Sequence, residues 1–189
     1  LEHYMWISAN NADVKKINDK KMKELVESIS NKPILIKKGK GEFNELSYNK
    51  VKKAKNYMLK NHMIPRRSGV FNYVVKYLKI NKMLPAICFV YSRKNVEMYA
   101  SEITANLHDD PKHMETIRKE SEKILMKLAN YKEFIRLPEY EFMIKLLQKG
   151  VAVHHSGIIP ILREMIEILF SKGYIKLLFA TETFSVGLN

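Results

Sequence analysis

Three short polar segments contain the side chains of this sequence that could do chemistry, and each directly follows an apolar run. They are residues 91–94 (YSRK), 154–157 (HHSG) and 181–189 (TETFSVGLN). Hydroxyl groups, a guanidinium and an ammonium are suited to binding phosphate, and a small turn at a glycine lets backbone N–H groups approach an anionic chain. All three segments therefore indicate contacts with phosphate oxygens.

Each segment also has an ordinary structural explanation. Ser92 could cap a helix whose first charged residues are merely solvated, and Ser156 with Gly157 could form a tight turn between a strand and a helix. The third segment could be a plain turn, although its polar residues directly follow a predicted core strand. His154 and His155 would point to opposite faces of a strand, so they are poor candidates for one metal ion, and no nearby cysteine or carboxylate completes such a site.

The sequence lacks the residues that position a nucleoside triphosphate and its metal ion. It contains no glycine-rich phosphate loop with a lysine and a hydroxyl residue, and no acidic pair that follows a strand. No histidine has a recognisable nucleophile and orienting acid to form a catalytic set. We therefore expect no catalytic residue and no metal ligand in this chain.

The elements that must position the polar segments alternate along the second half of the chain. Apolar runs predict strands over residues 86–91, 151–154 and 174–180, and helical periodicity predicts helices over 95–107, 112–129, 139–149 and 161–171. The continuous run at 86–91 is typical of a strand that is buried on both faces. The alternation predicts a parallel α/β sheet flanked by helices, with the three polar segments past the carboxyl ends of its strands.

The first half is richer in lysine and less regular. The patterns predict a strand over residues 1–8, a polar loop over 10–18, a short extended piece at 34–36 and helices over 19–29, 44–60 and 68–80. The lysines of residues 13–67 are expected mostly on solvated helix faces, where they could also attract a polyanion without specificity. We therefore predict two parts: residues 1–84, a first strand with a basic, mostly helical segment, and residues 85–189, the core of the α/β domain.

The composition limits the class of protein. The 189 residues include 33 Lys and Arg against 20 Asp and Glu, a net charge of +13, which favours a polyanion partner, most often nucleic acid. The single cysteine, Cys88, excludes a disulfide scaffold and is expected to be an inert core residue. No apolar run approaches the roughly 20 residues that a membrane span needs, and the first residues lack a signal-peptide pattern. We expect an intracellular protein without membrane contact, in the nucleus or the cytoplasm.

The three polar segments together resemble a known family. Residues 86–94 (AICFVYSRK) resemble motif IV of superfamily 2 helicases. Residues 150–170 (GVAVHHSGIIPILREMIEILF) and 175–189 (IKLLFATETFSVGLN) are similar to the following segment and motif V of the DExH-box superkiller and exosome-associated RNA helicases. The opening LEHY resembles the start of that family's second RecA-like domain. The resemblance implies a RecA-like helicase C-terminal domain of the P-loop NTPase class, incomplete after motif V, with a basic helical N-terminal stretch.

This resemblance implies an ATP-dependent 3′–5′ RNA helicase that feeds structured RNA to an exonuclease complex. It implies a first RecA-like domain, missing from this sequence, that binds most of ATP and Mg²⁺. The implied partners are RNA, the remaining helicase domains of the same chain and an exonuclease complex or adaptor. By position, the family's RNA contacts correspond to Ser92, Arg93, Ser156, Gly157 and Thr181, its ATP-cleft residues to Gly187 and Asn189, and its coupling residues to Glu182 and Thr183.

Two alternatives remain open at this point. One is a catalytically inactive, basic RecA-like module that binds RNA or a protein, and the other is a DNA helicase of the same superfamily. The HHSG and TETF segments favour RNA only through the family resemblance. In either helicase case we expect that this chain by itself hydrolyses no ATP.

Overall fold

The computed structural model describes residues 1–110 and 112–181. The chain divides into two compact units, Leu1–Tyr77 and Leu78–Asn189, which are described separately. The predicted domain division after residue 84 stays a prediction.

The first unit pairs a small antiparallel sheet with helices. It contains β1 (Glu2–Met5), α1 (Asn11–Lys15), α2 (Lys20–Ile29), β2 (Ile34–Lys38), α3 (Glu45–Lys60) and α4 (Arg67–Ile80), which continues past the unit boundary. β1 and β2 are antiparallel neighbours, with Glu2 opposite Lys38 and Met5 opposite Ile34. Side chains of α2 and α3, among them Val26, form the core of this unit.

Local sequence signals explain where the helices of the first unit begin. Asp19 accepts a hydrogen bond from the backbone N–H of Met22 at 3.1 Å, and Asn44 accepts one from the N–H of Ser47 at 2.9 Å. These bonds satisfy amide groups that have no partner inside the helix. The polar loop predicted over residues 10–18 is wrong in part, because α1 forms there with Val14 buried against the core.

The second unit is built on a parallel sheet. It contains β3 (Ala86–Phe89), α5 (Arg93–Ser101), α6 (Lys112–Leu125), α7 (Tyr131–Phe134), α8 (Pro138–Leu147), β4 (Val151–His154), α9 (Pro160–Ser171) and β5 (Leu177–Ala180). The strand order is β3-β5-β4, and both neighbouring pairs are parallel. The predicted fold class, a parallel α/β sheet flanked by helices, is confirmed.

Burial differs sharply among the three strands. Every residue of β4 and β5 is buried, whereas Phe89 at the end of β3 is 56% exposed. The prediction that residues 86–91 are buried on both faces is therefore wrong. Among the residues that the structure describes, β3 pairs with β5 alone and forms an edge of the sheet. An apolar run shows that a segment can be buried but not whether it is a central or an edge strand.

The helices of this unit follow the apolar periodicity with shorter bounds. The apolar face of α9 is buried as predicted, whereas α5 ends at Ser101 and α6 ends at Leu125, before the predicted ends at 107 and 129. Leu107 is nevertheless buried, and its backbone N–H donates to the carbonyl of Lys149 at 2.8 Å instead of continuing α5. The apolar residue Leu107 is therefore buried by tertiary packing although it does not belong to a helix. In the described ranges, no helix is both long and apolar enough to cross a membrane.

Candidate nucleic-acid interface

The three polar segments begin at one edge of the parallel sheet. Phe89 and His154 both lie opposite Ala180 in the strand register, so all three strands end side by side. Two backbone hydrogen bonds continue this pairing beyond the strands: Val90 N–H donates to Ala180 O at 2.8 Å, and Thr181 N–H donates to His154 O at 3.1 Å. The first residues of the three segments therefore lie at the carboxyl edge of the sheet, as predicted.

The first segment presents its charged groups to solvent. Ser92 is the N-cap residue of α5 and is half-buried, but its side chain makes no capping hydrogen bond. Arg93 and Lys94 are exposed in the first turn of that helix. The hydroxyl of Ser92 is therefore not used to begin α5, and it lies beside two cations at a helix N-terminus, where an anion is stabilised.

The second segment contains two buried histidines that contact different helices. His154 Nε2 lies 2.7 Å from Glu167 Oε1 on α9, and His155 Nε2 lies 3.0 Å from Glu97 Oε1 on α5. The backbone N–H of Gly157 donates to Nδ1 of His155 at 3.1 Å. In the described part of the chain, no group of three or more His, Cys, Asp or Glu residues could hold a metal ion.

The first and second segments lie close together at Gly157. A Cβ atom placed on Gly157 would lie 3.1 Å from Nδ1 and 3.2 Å from Cε1 of His155, closer than almost all real Cβ contacts. The same position lies 3.7 Å from Cδ of Arg93, so the arginine side chain passes over the glycine. Ser156 and Gly157 are exposed. Arg93, Ser156 and Gly157 thus share one surface.

The third segment is described only at its first residue. Thr181 directly follows β5 and is 8% exposed. The remaining residues that the resemblance singled out lie outside the described residues, so the ATP-cleft and coupling assignments stay predictions: Glu182, Thr183, Gly187 and Asn189. The RNA-contact assignments of the other five residues also stay predictions, although the structure places those residues at one edge of the sheet.

Sequence reasoning missed the two glutamates that hold the histidines. No motif or spacing in the sequence singles out Glu167 or Glu97. Glu97 and His155 are 58 positions apart, so no local spacing relates them.

Burial raises the pKa of the Cys88 thiol in β3, which keeps the thiol protonated and agrees with its predicted inert role.

The fold and the site define a class of protein. A three-stranded parallel sheet flanked by helices agrees with the RecA-like C-terminal domain of helicases. No protein-family model matches the chain.

Individual relatives specify the family. Over 116 residues (61% of this chain and 9% of the relative), the sequence is 45% identical to the antiviral helicase SKI2 of Saccharomyces cerevisiae. It is 40% identical over 125 residues (65% and 11%) to the human exosome RNA helicase MTR4, and 38% identical over 128 residues (66% and 12%) to the DExH-box ATP-dependent RNA helicase DExH10 of Arabidopsis thaliana.

The chain is thus a homologue of the superfamily 2 DExH-box RNA helicases of the superkiller and exosome-associated family, and the resemblance found in its sequence is confirmed. It spans about a tenth of the length of the curated relatives that it matches.

Proposed function

We propose that this chain is a portion of an ATP-dependent 3′–5′ RNA helicase of RNA processing and decay. In this proposal the chain binds the RNA backbone at the carboxyl edge of its sheet and contributes to an ATP cleft between two RecA-like domains. The observation that supports it best is that three polar segments begin at one edge of the sheet, in a chain homologous to helicases.

The chemistry of the proposed RNA contacts is largely independent of base sequence. Arg93 supplies a planar guanidinium that can bind phosphate with two hydrogen bonds, and Ser92, Ser156 and Thr181 supply hydroxyls. Such contacts to phosphate and sugar position a strand without specifying its bases. A helicase needs this property because it must move along RNA of any sequence.

The remaining parts of the machine are proposed from the family. ATP with Mg²⁺ would be held mainly by another RecA-like domain, and its hydrolysis would supply the energy for movement. On this chain, Gly187 and Asn189 would lie toward that cleft, and Glu182 and Thr183 would couple it to the RNA. Further partners would be the other helicase domains and an exonuclease complex or adaptor within the cell, since relatives are named for the exosome and the superkiller complex.

The first test measures RNA binding by the 189-residue chain and by Thr181→Val. The valine preserves the shape of the side chain and the backbone bond to His154, but it removes the hydroxyl. Because a hydrogen bond to a charged group contributes about 1.5–3 kcal/mol, we expect affinity for a single-stranded RNA to fall by about ten- to a hundredfold. Fluorescence anisotropy over a series of salt concentrations measures the RNA affinity of both chains. The affinity of the wild type should fall as the salt concentration rises.

The matched control is Thr116→Val, because Thr116 lies on α6 and its hydroxyl donates to the Lys112 carbonyl at 3.2 Å. It should bind RNA as the wild type does. Salt-insensitive binding, or equal affinity of Thr181→Val and wild type, would contradict the assigned phosphate contact. Tighter binding to DNA than to RNA would favour the DNA-helicase alternative. The same preparation should hydrolyse no ATP with or without RNA.

A further inference from the structure

Glu97, His155 and Gly157 form a continuous chain of hydrogen bonds beneath the proposed RNA contacts. We propose that Glu97 and His155 are positioning residues for RNA binding: Glu97 on α5 orients the His155 ring, and the ring holds the Ser156-Gly157 turn beside Arg93. This inference rests on the proposed function and extends it to two residues beneath the proposed RNA contacts.

The bond from Gly157 indicates which ring nitrogen of His155 is the acceptor. Because Nδ1 of His155 accepts the N–H of Gly157, that nitrogen must have a free lone pair. In the neutral ring the proton is then on Nε2, which donates to Glu97 Oε1 at 3.0 Å. His155 is only 4% exposed, so the ring has little space in which to reorient. Gly157 and Glu97 therefore favour the same tautomer, and the bond to Glu97 on α5 orients the ring.

The same bond changes the role expected of Gly157. Its N–H is already engaged by His155 and is not presented to a ligand. What the glycine provides is space, since a Cβ there would press on the ring and approach Arg93. The groups left to contact phosphate on this surface are the hydroxyl of Ser156 and the guanidinium of Arg93. Ser156 belongs to the turn that His155 contacts, and the Arg93 side chain lies beside that turn.

Glu97 connects two of the proposed RNA-contacting segments. It lies in the second turn of α5, whose first residue is Arg93, and through His155 it reaches the segment after β4. The neighbouring pair, His154 with Glu167, has the same chemistry but joins β4 to α9. Glu167 thus offers a matched control, because it holds a buried histidine without joining the two segments.

The sign of the effect separates positioning from simple electrostatics. Glu97 is a half-exposed carboxylate near a surface proposed to bind an anion. If only charge mattered, removing it would strengthen RNA binding by reducing repulsion. If it positions His155, removing the acceptor weakens RNA binding in spite of the favourable charge change. Glu97→Gln keeps an acceptor oxygen without the charge, so it should restore what Glu97→Ala loses.

The experiment compares Glu97→Ala, Glu97→Gln, Arg93→Ala and Glu167→Ala in the 189-residue chain. With single-stranded RNA, we expect Glu97→Ala to bind about five- to tenfold more weakly, as loss of one hydrogen bond implies, and Glu97→Gln within about twofold of wild type. The salt dependence of Glu97→Ala should equal that of wild type, since Glu97 contacts no phosphate. For Arg93→Ala, the slope of log affinity against log salt concentration should become shallower by about 0.7, the value for one phosphate contact on a single strand.

Histidine-ring ¹⁵N NMR and amide exchange test the proposal without RNA. Wild-type His155 should be the Nε2–H tautomer at neutral pH, with the Gly157 amide protected, and both features should be lost in Glu97→Ala but retained in Glu167→Ala. Observation of the Nδ1–H tautomer in wild type would overturn the proposal, whatever the RNA result.

The RNA measurements distinguish the two levels of inference. Unchanged or tighter binding by Glu97→Ala, while Arg93→Ala binds more weakly, would overturn the positioning role and leave the proposed function intact. Equal weakening by Glu97→Ala, Glu97→Gln and Glu167→Ala would also overturn it, because general loss of structure would explain that result. A wild-type chain that binds no RNA would overturn the proposed function itself.

Discussion

Three buried histidines of the second unit differ in the group that each contacts. His154 and His155 face carboxylates, whereas Nε2 of His108 lies 2.8 Å from the uncharged carbonyl oxygen of Leu147. Nδ1 of His108 is buried and has no hydrogen-bond partner among the described residues. Burial lowers the pKa of His108, and the carbonyl offsets this only in part. His108 is therefore a neutral structural residue at physiological pH.

This environment predicts a loss of stability in mild acid. The pKa of His108 is lowered in the folded chain and near its ordinary value of about 6.5 in the unfolded chain, so below that pH the unfolded chain binds more protons. The free energy of unfolding should fall as the pH decreases from about 6.5 through the lowered folded-state pKa. Urea unfolding at pH 7.5 and 5.5 measures the free energy of unfolding. The difference between the two pH values should be smaller in His108→Gln than in the wild type.

His3→Gln is the control, because His3 is exposed on β1. It should retain the full difference between the two pH values. A pH dependence in His108→Gln equal to that of wild type would show that His108 does not cause the effect.

Individual helices of this chain begin in three different ways. Asn44 begins α3 with a side-chain hydrogen bond to the N–H of Ser47, whereas Ser92 begins α5 without any side-chain capping bond. Two others, α8 and α9, start at Pro138 and Pro160, which need no N–H partner. Ser92 thus has the residue type of a cap but not the contact, which favours a role in binding over a role in folding.

This difference predicts opposite results for two similar substitutions. Asn44→Ala should lower the free energy of unfolding by about 1 kcal/mol, the usual cost of losing an N-cap bond, and leave RNA affinity unchanged. Ser92→Ala should change stability by less than about 0.5 kcal/mol and weaken RNA binding. Urea unfolding and fluorescence anisotropy on the same samples measure both effects. Equal destabilisation by the two variants would show that Ser92 is an ordinary helix cap.

The charge of the whole molecule is concentrated in its first unit. Residues 1–77 contain 17 Lys and Arg against 7 Asp and Glu, a net charge of +10, whereas residues 78–189 contain 16 against 13, a net charge of +3. Helix α3 contributes five exposed lysines, and among the described residues none of them forms an ion pair: Lys50, Lys52, Lys53, Lys55 and Lys60. These unneutralised lysines are suited to attracting a polyanion without specificity.

We expect the lysines of α3 to contribute to the salt dependence of RNA binding. Replacing Lys52, Lys53 and Lys60 by Gln should weaken binding and flatten the dependence of affinity on salt, while the exposed positions leave stability nearly unchanged. The control replaces Lys119, Lys123 and Lys145 of the second unit by Gln, which removes the same amount of charge. Two of these lysines already face glutamates, at 2.7 Å and 3.9 Å. Equal effects of the two triple variants on RNA affinity would show that RNA binding depends only on the net charge of the chain.

Much of the second unit could be predicted from local patterns. The apolar spacing of residues 161–171 predicted α9, and its inward side chains are buried as expected. Residues 151–154 form β4 with the predicted bounds. The short helices α1 and α7 were missed, because five and four residues are too few for a 3.6-residue period to appear. The exposure of Phe89 was missed because it depends on the position of β3 in the sheet.

The sequence by itself determined which polar residues follow core strands, and therefore which residues meet at the carboxyl edge of a parallel sheet. That inference needs only the local alternation of strand and helix and the common direction of the strands. Only the tertiary structure decided that Glu97 contacts His155 and that the ring accepts the amide of Gly157. Residues 58 positions apart meet through the packing of α5 against β4, and side-chain periodicity contains no information about contacts at that distance.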